Sequence, residues 1–332
     1  DGYEKNRLVP QDIDTLEGVE PDVQGITYQE KKEWRNADRI TLEDVAEGKA
    51  DLRRLLAQLS DRELAGLLGG QVNTGTANTY GMGNLPAYGI PNIMTADGPA
   101  GLRIREECGV YTTAWPCATL LACTWNPEIV FEAGAAGAAE VKENNIGVWL
   151  TPAMNIHRSP LCGRNFEYYS EDPLVSGKMG AAMIRGIQSQ HIGASMKHFC
   201  CNNKETNRKD SDSRVSERAL REIYLKGFEI AVKEAQPWTV MTSYNLMNGY
   251  PTSCNPELLN GILREEWGFE GMVTTDWWNH AEHYLEVKAG GDIKMGCGYP
   301  DRILEAKEKG FVSREEMEKC AERILGMILK VD

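Results

Sequence analysis

From about residue 90 onward, short β-branched apolar runs alternate with longer helical patterns, and this alternation limits the chain to few architectures. The strand candidates are 92–96, 147–151, 194–199, 239–244, 271–275 and 292–295. Helix candidates lie between them at 127–144, 173–190, 215–235, 256–267 and 301–309, and a helix at 313–330 closes the chain. Strand then helix, repeated every ~30–45 residues, is how parallel sheets are built, because a parallel crossover needs a long connection to bring the chain back. An open doubly wound sheet and a closed barrel both fit. No Gly-x-Gly-x-x-Gly turn follows the first strand, which weighs against a dinucleotide fold. Polar residues stand at or just past several strand ends: Asp97, Asn155, Lys197-His198, Tyr244-Asn245 and Asp276. Convergence from many strand ends marks a barrel mouth. The expected class is therefore α/β, a TIM-like (β/α)8 barrel with irregular first strands.

Residues 51–332 are expected to form this barrel. Residues 1–50 are polar and weakly periodic, with one strand candidate at 23–28, and read as a linker-like arm packing on another domain. Leu52, Leu55, Leu56 and Leu59 share a helical face, and Ser60-Asp-Arg-Glu63 is a capping box that opens a second helix. Residues 69–84 are rich in Gly, Asn and Thr and read as a loop bordering the pocket.

With 332 residues and 42% hydrophobic content, the chain has ample material for a core. A net charge of −13 argues against nucleic acid or an anionic membrane as partner and suits a neutral ligand. No apolar run reaches the ~18 residues of a transmembrane helix. The nine cysteines are odd in number, form no C-x-x-C pair and include the adjacent Cys200-Cys201. Most read as small buried hydrophobes in a reducing, cytoplasmic compartment, Cys200 included.

The segment Gly271-Met-Val-Thr-Thr-Asp-Trp-Trp278 ends a buried strand in a carboxylate followed by two flat rings. A carboxylate there can attack or stabilise an oxocarbenium-like carbon, while tryptophan stacks on the C–H face of a sugar. The alternative is an aspartate capping the next helix, with the tryptophans as core. Asp97, in Ala96-Asp-Gly-Pro-Ala-Gly-Leu-Arg103, can accept from two sugar hydroxyls or simply form the turn. Arg164, in Gly163-Arg-Asn-Phe-Glu-Tyr-Tyr-Ser-Glu-Asp-Pro173, offers a rigid donor fork, with Glu167 or Asp172 as its structural partner. Lys197 and His198 together point to a polar pocket, because a lysine is costly to bury without a partner. Tyr244 stands at a further strand end, where its hydroxyl can aim a nearby carboxylate. His280 and His283 lack any metal framework around them and read as the first turn after Asp276. Neither a metal nor a cofactor is expected.

These segments, in this order, resemble glycoside hydrolase family 3. The likeness rests on Asp97-Gly-Pro-Ala-Gly-Leu, Gly163-Arg-Asn-Phe-Glu with Ser170-Glu-Asp-Pro, Lys197-His-Phe, Ser243-Tyr-Asn and Val273-Thr-Thr-Asp-Trp277, and spans about residues 50 to 330. The resemblance implies a retaining β-glucosidase barrel with Asp276 as nucleophile and Tyr244 orienting it. Asp97, Arg164, Lys197 and His198 would then surround the terminal sugar, with Trp277 as one wall. After Phe199 the chain reads Cys-Cys-Asn-Asn-Lys-Glu, without the His-Asp acid/base loop of the N-acetylglucosaminidase branch. The β-glucosidase-like branch takes its acid/base from an α/β-sandwich domain. The expectation is a barrel half, from an enzyme with reversed domain order, whose acid/base lies on sequence not present in this chain. The expected partners are a β-linked glucoside or oligosaccharide and that sandwich domain, with homo-oligomerisation left open. A β-xylosidase, a glycoside phosphorylase and a non-catalytic sugar-binding subunit stay open as alternatives.

Overall fold

The computed structural model describes residues 39–331; the strand candidate at 23–28 and most of the expected arm lie outside them. The described remainder of that arm forms the short helix Leu42–Ala46, capped by Thr41 with Asp44 in a capping box, and its Leu42 is buried. The leucine-rich stretch that follows splits into two helices, Leu52–Ala57 and Asp61–Leu67. The second opens on the expected Ser60–Glu63 box.

The main sheet has six strands in the order Gly81–Leu85, Ile90–Ala96, Val148–Trp149, Gly193–Phe199, Thr239–Thr242 and Met272–Thr274. The first pairs antiparallel with the second, and every later pair is parallel. Single bridges then carry the order onward: Thr274 with Ile293, Lys294 with Gly69, and Gln71 with Gly81 of the first strand. The Gly70 amide donates to the Lys294 carbonyl and the Lys294 amide to the Leu68 carbonyl, each at 2.9 Å. Gln71 and Gly81 exchange two amide bonds of 2.8 Å. The fold is α/β with a curled sheet.

Two expectations change here. Part of the expected loop at 69–84 is the strand Gly81–Leu85. The expected strand at 292–295 is present only as bridged residues 293 and 294. There the Asp292 amide donates to the Val273 carbonyl at 2.9 Å, and its carboxylate accepts from the Val273 amide at 2.7 Å, from Arg264 at 2.7 Å and from Arg323 at 2.9 Å.

The helices start where their caps require. Asn126 and Asp172 cap Pro127–Glu143 and Pro173–Gln188, each with proline near the first position, where a missing N–H costs nothing. Asp172 is thus a cap rather than a partner of Arg164. The segments expected as helices at 215–235 and 256–267 contain wide π-type turns at Leu220–Tyr224 and Glu257–Glu266. The helix His283–Ala289 was not expected.

Two large apolar clusters hold these layers, beside a small one of Ala153, Cys162 and Tyr168. One gathers Trp149, Met183, Ile184, Phe199, Phe228 and Trp267. The other gathers Leu55, Leu64, Leu68, Met272, Ile324 and Leu325, so the first helices share a core with the last, Arg314–Ile328. Arg314 reinforces that junction by donating to the Leu56 and Leu59 carbonyls at 3.2 and 2.8 Å and to Asp61 at 2.8 Å.

Candidate active site

The parallel strands deliver their C-terminal ends to one place. Asp97 follows the strand Ile90–Ala96, Lys197 and His198 end Gly193–Phe199, Tyr244 lies two residues past Thr239–Thr242, and Asp276 two past Met272–Thr274. Together with Arg164 and Trp277 they line a cavity of about 360 Å³. A larger cavity of about 610 Å³ is walled mostly by the loop 201–216 and receives none of these groups.

Lys197 is almost wholly buried, and its ammonium meets Asp97 Oδ1 at 2.6 Å while Arg103 meets Oδ2 at 3.1 Å. Burial alone would raise the Asp97 carboxyl, but the Lys197 charge and hydrogen bond, with the Gly98 amide and Arg103, overcome it and hold it at about 2. Asp97 is therefore an ionised acceptor at any ordinary pH. Glu167, 3% exposed, takes Arg164 Nε at 2.5 Å and fixes the guanidinium plane. Arg164 stands just before and Glu167 at the end of a short 3-10 turn, Asn165–Glu167, and both side chains line the cavity.

His198 is buried and pinned at its backbone by Asn155, whose side chain accepts from the His198 amide and donates to its carbonyl, both at 2.9 Å. Asn155, expected at the mouth, is spent on this support. His198 Nδ1 lies 3.3 Å from the Tyr168 hydroxyl, which in turn accepts from Asn202 at 3.0 Å. Burial first, then the Arg164, Lys197 and Arg208 cations, push the imidazole well below its usual 6.5. It is a neutral hydrogen-bonding group.

Asp276 is 8% exposed. It caps no helix: the next one begins at His283, with Glu282 in the cap position. Its Oδ1 accepts from the Trp277 amide at 2.8 Å, and its buried Oδ2 has no partner. Burial raises the carboxyl above the usual 3.8, while Arg164, the Trp277 amide, Lys197 and Arg208 pull it down. The Tyr244 hydroxyl donates to the Trp277 carbonyl at 2.5 Å, so it bears on the residue after Asp276. Burial and the neighbouring Asp276 charge push that phenol up and keep it protonated.

Arg103, Glu205, Arg208, Phe166 and Thr79 also line the cavity and were not singled out from sequence. Arg208 pairs with Glu205 at 2.9 Å and stacks 4.8 Å over the Tyr244 ring. Arg103 closes the segment quoted around Asp97, and its role, like that of Arg208, depends on a loop path. Thr79 comes from the stretch expected to border the pocket.

His283 is buried, accepting from the Tyr299 amide at 3.0 Å through Nδ1 and facing the Leu68 carbonyl at 3.0 Å through Nε2. Burial first, then the Lys294 charge, bring it down to about 3. His280 is exposed beside Asp210. Among the described residues no cluster of His, Cys, Asp and Glu could hold a metal ion.

Residues 79–327 match the glycosyl hydrolase family 3 N terminal domain. The chain belongs to that family. A family 3 relative, beta-glucosidase A of Butyrivibrio fibrisolvens, is 63% identical over 276 residues, covering 83% of this chain and 33% of the relative. The solved beta-glucosidase 3B of Thermotoga neapolitana, in complex with glucose, superposes with a TM-score of 0.81 at 44% identity, over 85% of this chain and 43% of that one. A beta-glucosidase of Paenibacillus barengoltzii gives a TM-score of 0.84 at 40% identity, over 88% of this chain and 34% of that one. The family 3 chain described here thus spans about a third of the length of the curated relatives it matches.

Proposed function

We propose that this chain is the nucleophile-bearing part of a retaining β-glucosidase that releases terminal glucose through a covalent glycosyl-enzyme on Asp276. One observation carries the reading: Asp276 lines a polar cavity with its buried Oδ2 unpartnered, and Arg164, Lys197 and Arg208 counter the burial that raises its carboxyl. Asp97 and Lys197 accept from and donate to adjacent hydroxyls, Arg164 and neutral His198 add donors or acceptors, and Trp277 supplies the apolar wall. Tyr244 holds the Trp277 carbonyl and so aims the neighbouring carboxylate. We further read the single bridges that join 293–294, 69–71 and the first strand as closing a (β/α)8-like barrel, with irregular segments standing where regular strands were expected.

Displacing a sugar needs an acid as well as a nucleophile. The remaining carboxylates that line the cavity are all paired with cations: Asp97 with Lys197, Glu167 with Arg164, Glu205 with Arg208. A carboxylate so held is a poor proton donor. This supports an acid/base supplied by a second domain, an α/β sandwich, at ~5–5.5 Å from the nucleophile. Six of the nine cysteines are buried like small hydrophobes, which supports a reducing, cytoplasmic setting.

The test is labelling with a dinitrophenyl 2-deoxy-2-fluoro-β-glucoside, whose leaving group departs without protonation, followed by peptide mass mapping. An adduct on Asp276 is expected. An adduct elsewhere, or none from either this reagent or its xyloside analogue on a folded chain, overturns the reading.

A further inference from the structure

Beside the loop that follows Asp276 lies a buried charge cluster that does not line the cavity and that the proposed chemistry does not use. Lys294 and Glu286 are 1% and 2% exposed at their side chains, and their charged atoms are 3.0 Å apart. The Lys294 ammonium has three protons and three acceptors: Glu286 Oε2, the Ala281 carbonyl at 2.8 Å, and Asn279 Oδ1. Asn279 returns its amide protons to Glu286 Oε1 at 2.6 Å and to Ser253 at 3.1 Å. Every strong valence in the cluster is matched.

A buried ion pair is a weak device for stability, because desolvating both charges offsets most of their attraction. What this one does distinctively is geometric. Asn279 is three residues past Asp276, and Ala281 is five past it. Lys294 itself belongs to the sheet, through its backbone bonds to Leu68 and Gly70. Its side chain therefore bolts the loop 277–281 to the sheet at two points. The rest of the loop is held from other directions. Tyr244 donates to the Trp277 carbonyl, Lys209 donates to the Trp278 carbonyl at 2.8 Å, and the Trp278 amide donates to the Met295 carbonyl at 3.0 Å. Trp278 has a positive φ of 59°, a conformation that a tryptophan keeps only when its surroundings enforce it.

We propose that Lys294 is a positioning residue for Asp276: by gripping Asn279, Glu286 and the Ala281 carbonyl, it fixes the loop that aims the carboxylate and the Trp277 wall. The inference rests on Asp276 being the nucleophile. It touches no substrate; it acts through the loop.

The test uses Lys294→Met combined with Glu286→Gln. The pair removes both charges at once, so no lone buried ion is left to unfold the chain, while the grip on Asn279 and Ala281 is still lost. Two readouts are taken on the folded double variant. The first is the rate of Asp276 labelling by the fluoroglucoside as a function of reagent concentration. The saturating rate is expected to fall about 100-fold, the cost of misplacing a reacting group by about an ångström. The half-saturating concentration is expected to change less, because Asp97, Arg164, Lys197 and His198 are untouched and only the Trp277 wall shifts with the loop. The second is hydrogen exchange of the segment 276–282, expected to speed up there and to stay unchanged at the strand Gly193–Phe199. A labelling rate equal to that of the unmodified chain overturns the proposal, and so does unchanged exchange in 276–282. If the unmodified chain takes no label at Asp276, the nucleophile reading itself has failed. The exchange result then still decides whether Lys294 holds the loop.

Discussion

Asp276 shows how burial and charge compete over one carboxylate. Removing it from water favours the neutral acid and raises its carboxyl, while Arg164, the Trp277 amide, Lys197 and Arg208 pull the other way. Arg164 is the strongest of these. Replacing Arg164 with Met, together with Glu167→Gln to avoid a lone buried carboxylate, should move the acid limb of Asp276 labelling to higher pH. In the unmodified chain that limb should already lie above 3.8. A labelling-rate profile from pH 3 to pH 8 checks both statements. Asp97 makes the opposite case. Its carboxyl sits at about 2 in the fold against a usual 3.8, so it stabilises the fold above pH ~4, and that contribution is lost as pH falls towards ~2. The gap in unfolding free energy between the unmodified chain and Asp97→Asn should therefore shrink over that window, by on the order of 2 kcal/mol. Chemical denaturation at several pH values measures it. These strand-end groups were legible in the sequence because a strand ending in a polar residue can point only at the mouth of a parallel sheet. Arg103, Glu205 and Arg208 were not. They arrive on loops, and no local pattern says which end of a loop turns inward.

The long helices were legible because their caps are local: Asn126 and Asp172 before proline, Ser313 with Glu316. The strand Gly81–Leu85 was hidden by its own glycines. Gly81 and Gly83 lower strand propensity, yet an added Cβ at Gly83 would sit 2.4 Å from the Pro91 carbonyl oxygen, so the close antiparallel pairing needs them. The π-type turns in 220–224 and 257–266 leave no mark on apolar periodicity strong enough to read. Glycine also governs how the helices Pro127–Glu143 and Pro173–Gln188 meet. A Cβ at Gly186 would lie 2.2 Å from the Phe131 carbonyl oxygen, and one at Gly134 would lie 2.8 Å from that of Met183. Gly186→Ala should thus destabilise the protein by about 1–3 kcal/mol, although alanine is the better helix former by ~1 kcal/mol. Thermal unfolding of the variant decides which effect wins. If stability rises, these helices have room to part.

At the scale of the molecule, the candidate site looks like half of a catalytic pair. On the proposed reading Asp276 is the nucleophile, and the other carboxylates lining the cavity are paired with cations. The chain alone should therefore release good leaving groups far faster than poor ones, with turnover falling steeply as the leaving group's pKa rises from dinitrophenol to an unactivated sugar. Rates across a series of aryl glucosides test this, and a flat series would mean that an acid is already in place. One feature of the fold bears on a different stage of the protein's life. The first helices share their core with the last, and Arg314 reaches back across 253 to 258 residues to grip them. During synthesis at ~5–20 residues per second, Leu55, Leu64 and Leu68 emerge roughly ten to fifty seconds before the helix that covers them. For that interval the ribosome carries these leucines without their cover. Chaperone occupancy should peak over this stretch and clear only once the helix Arg314–Ile328 has left the exit tunnel.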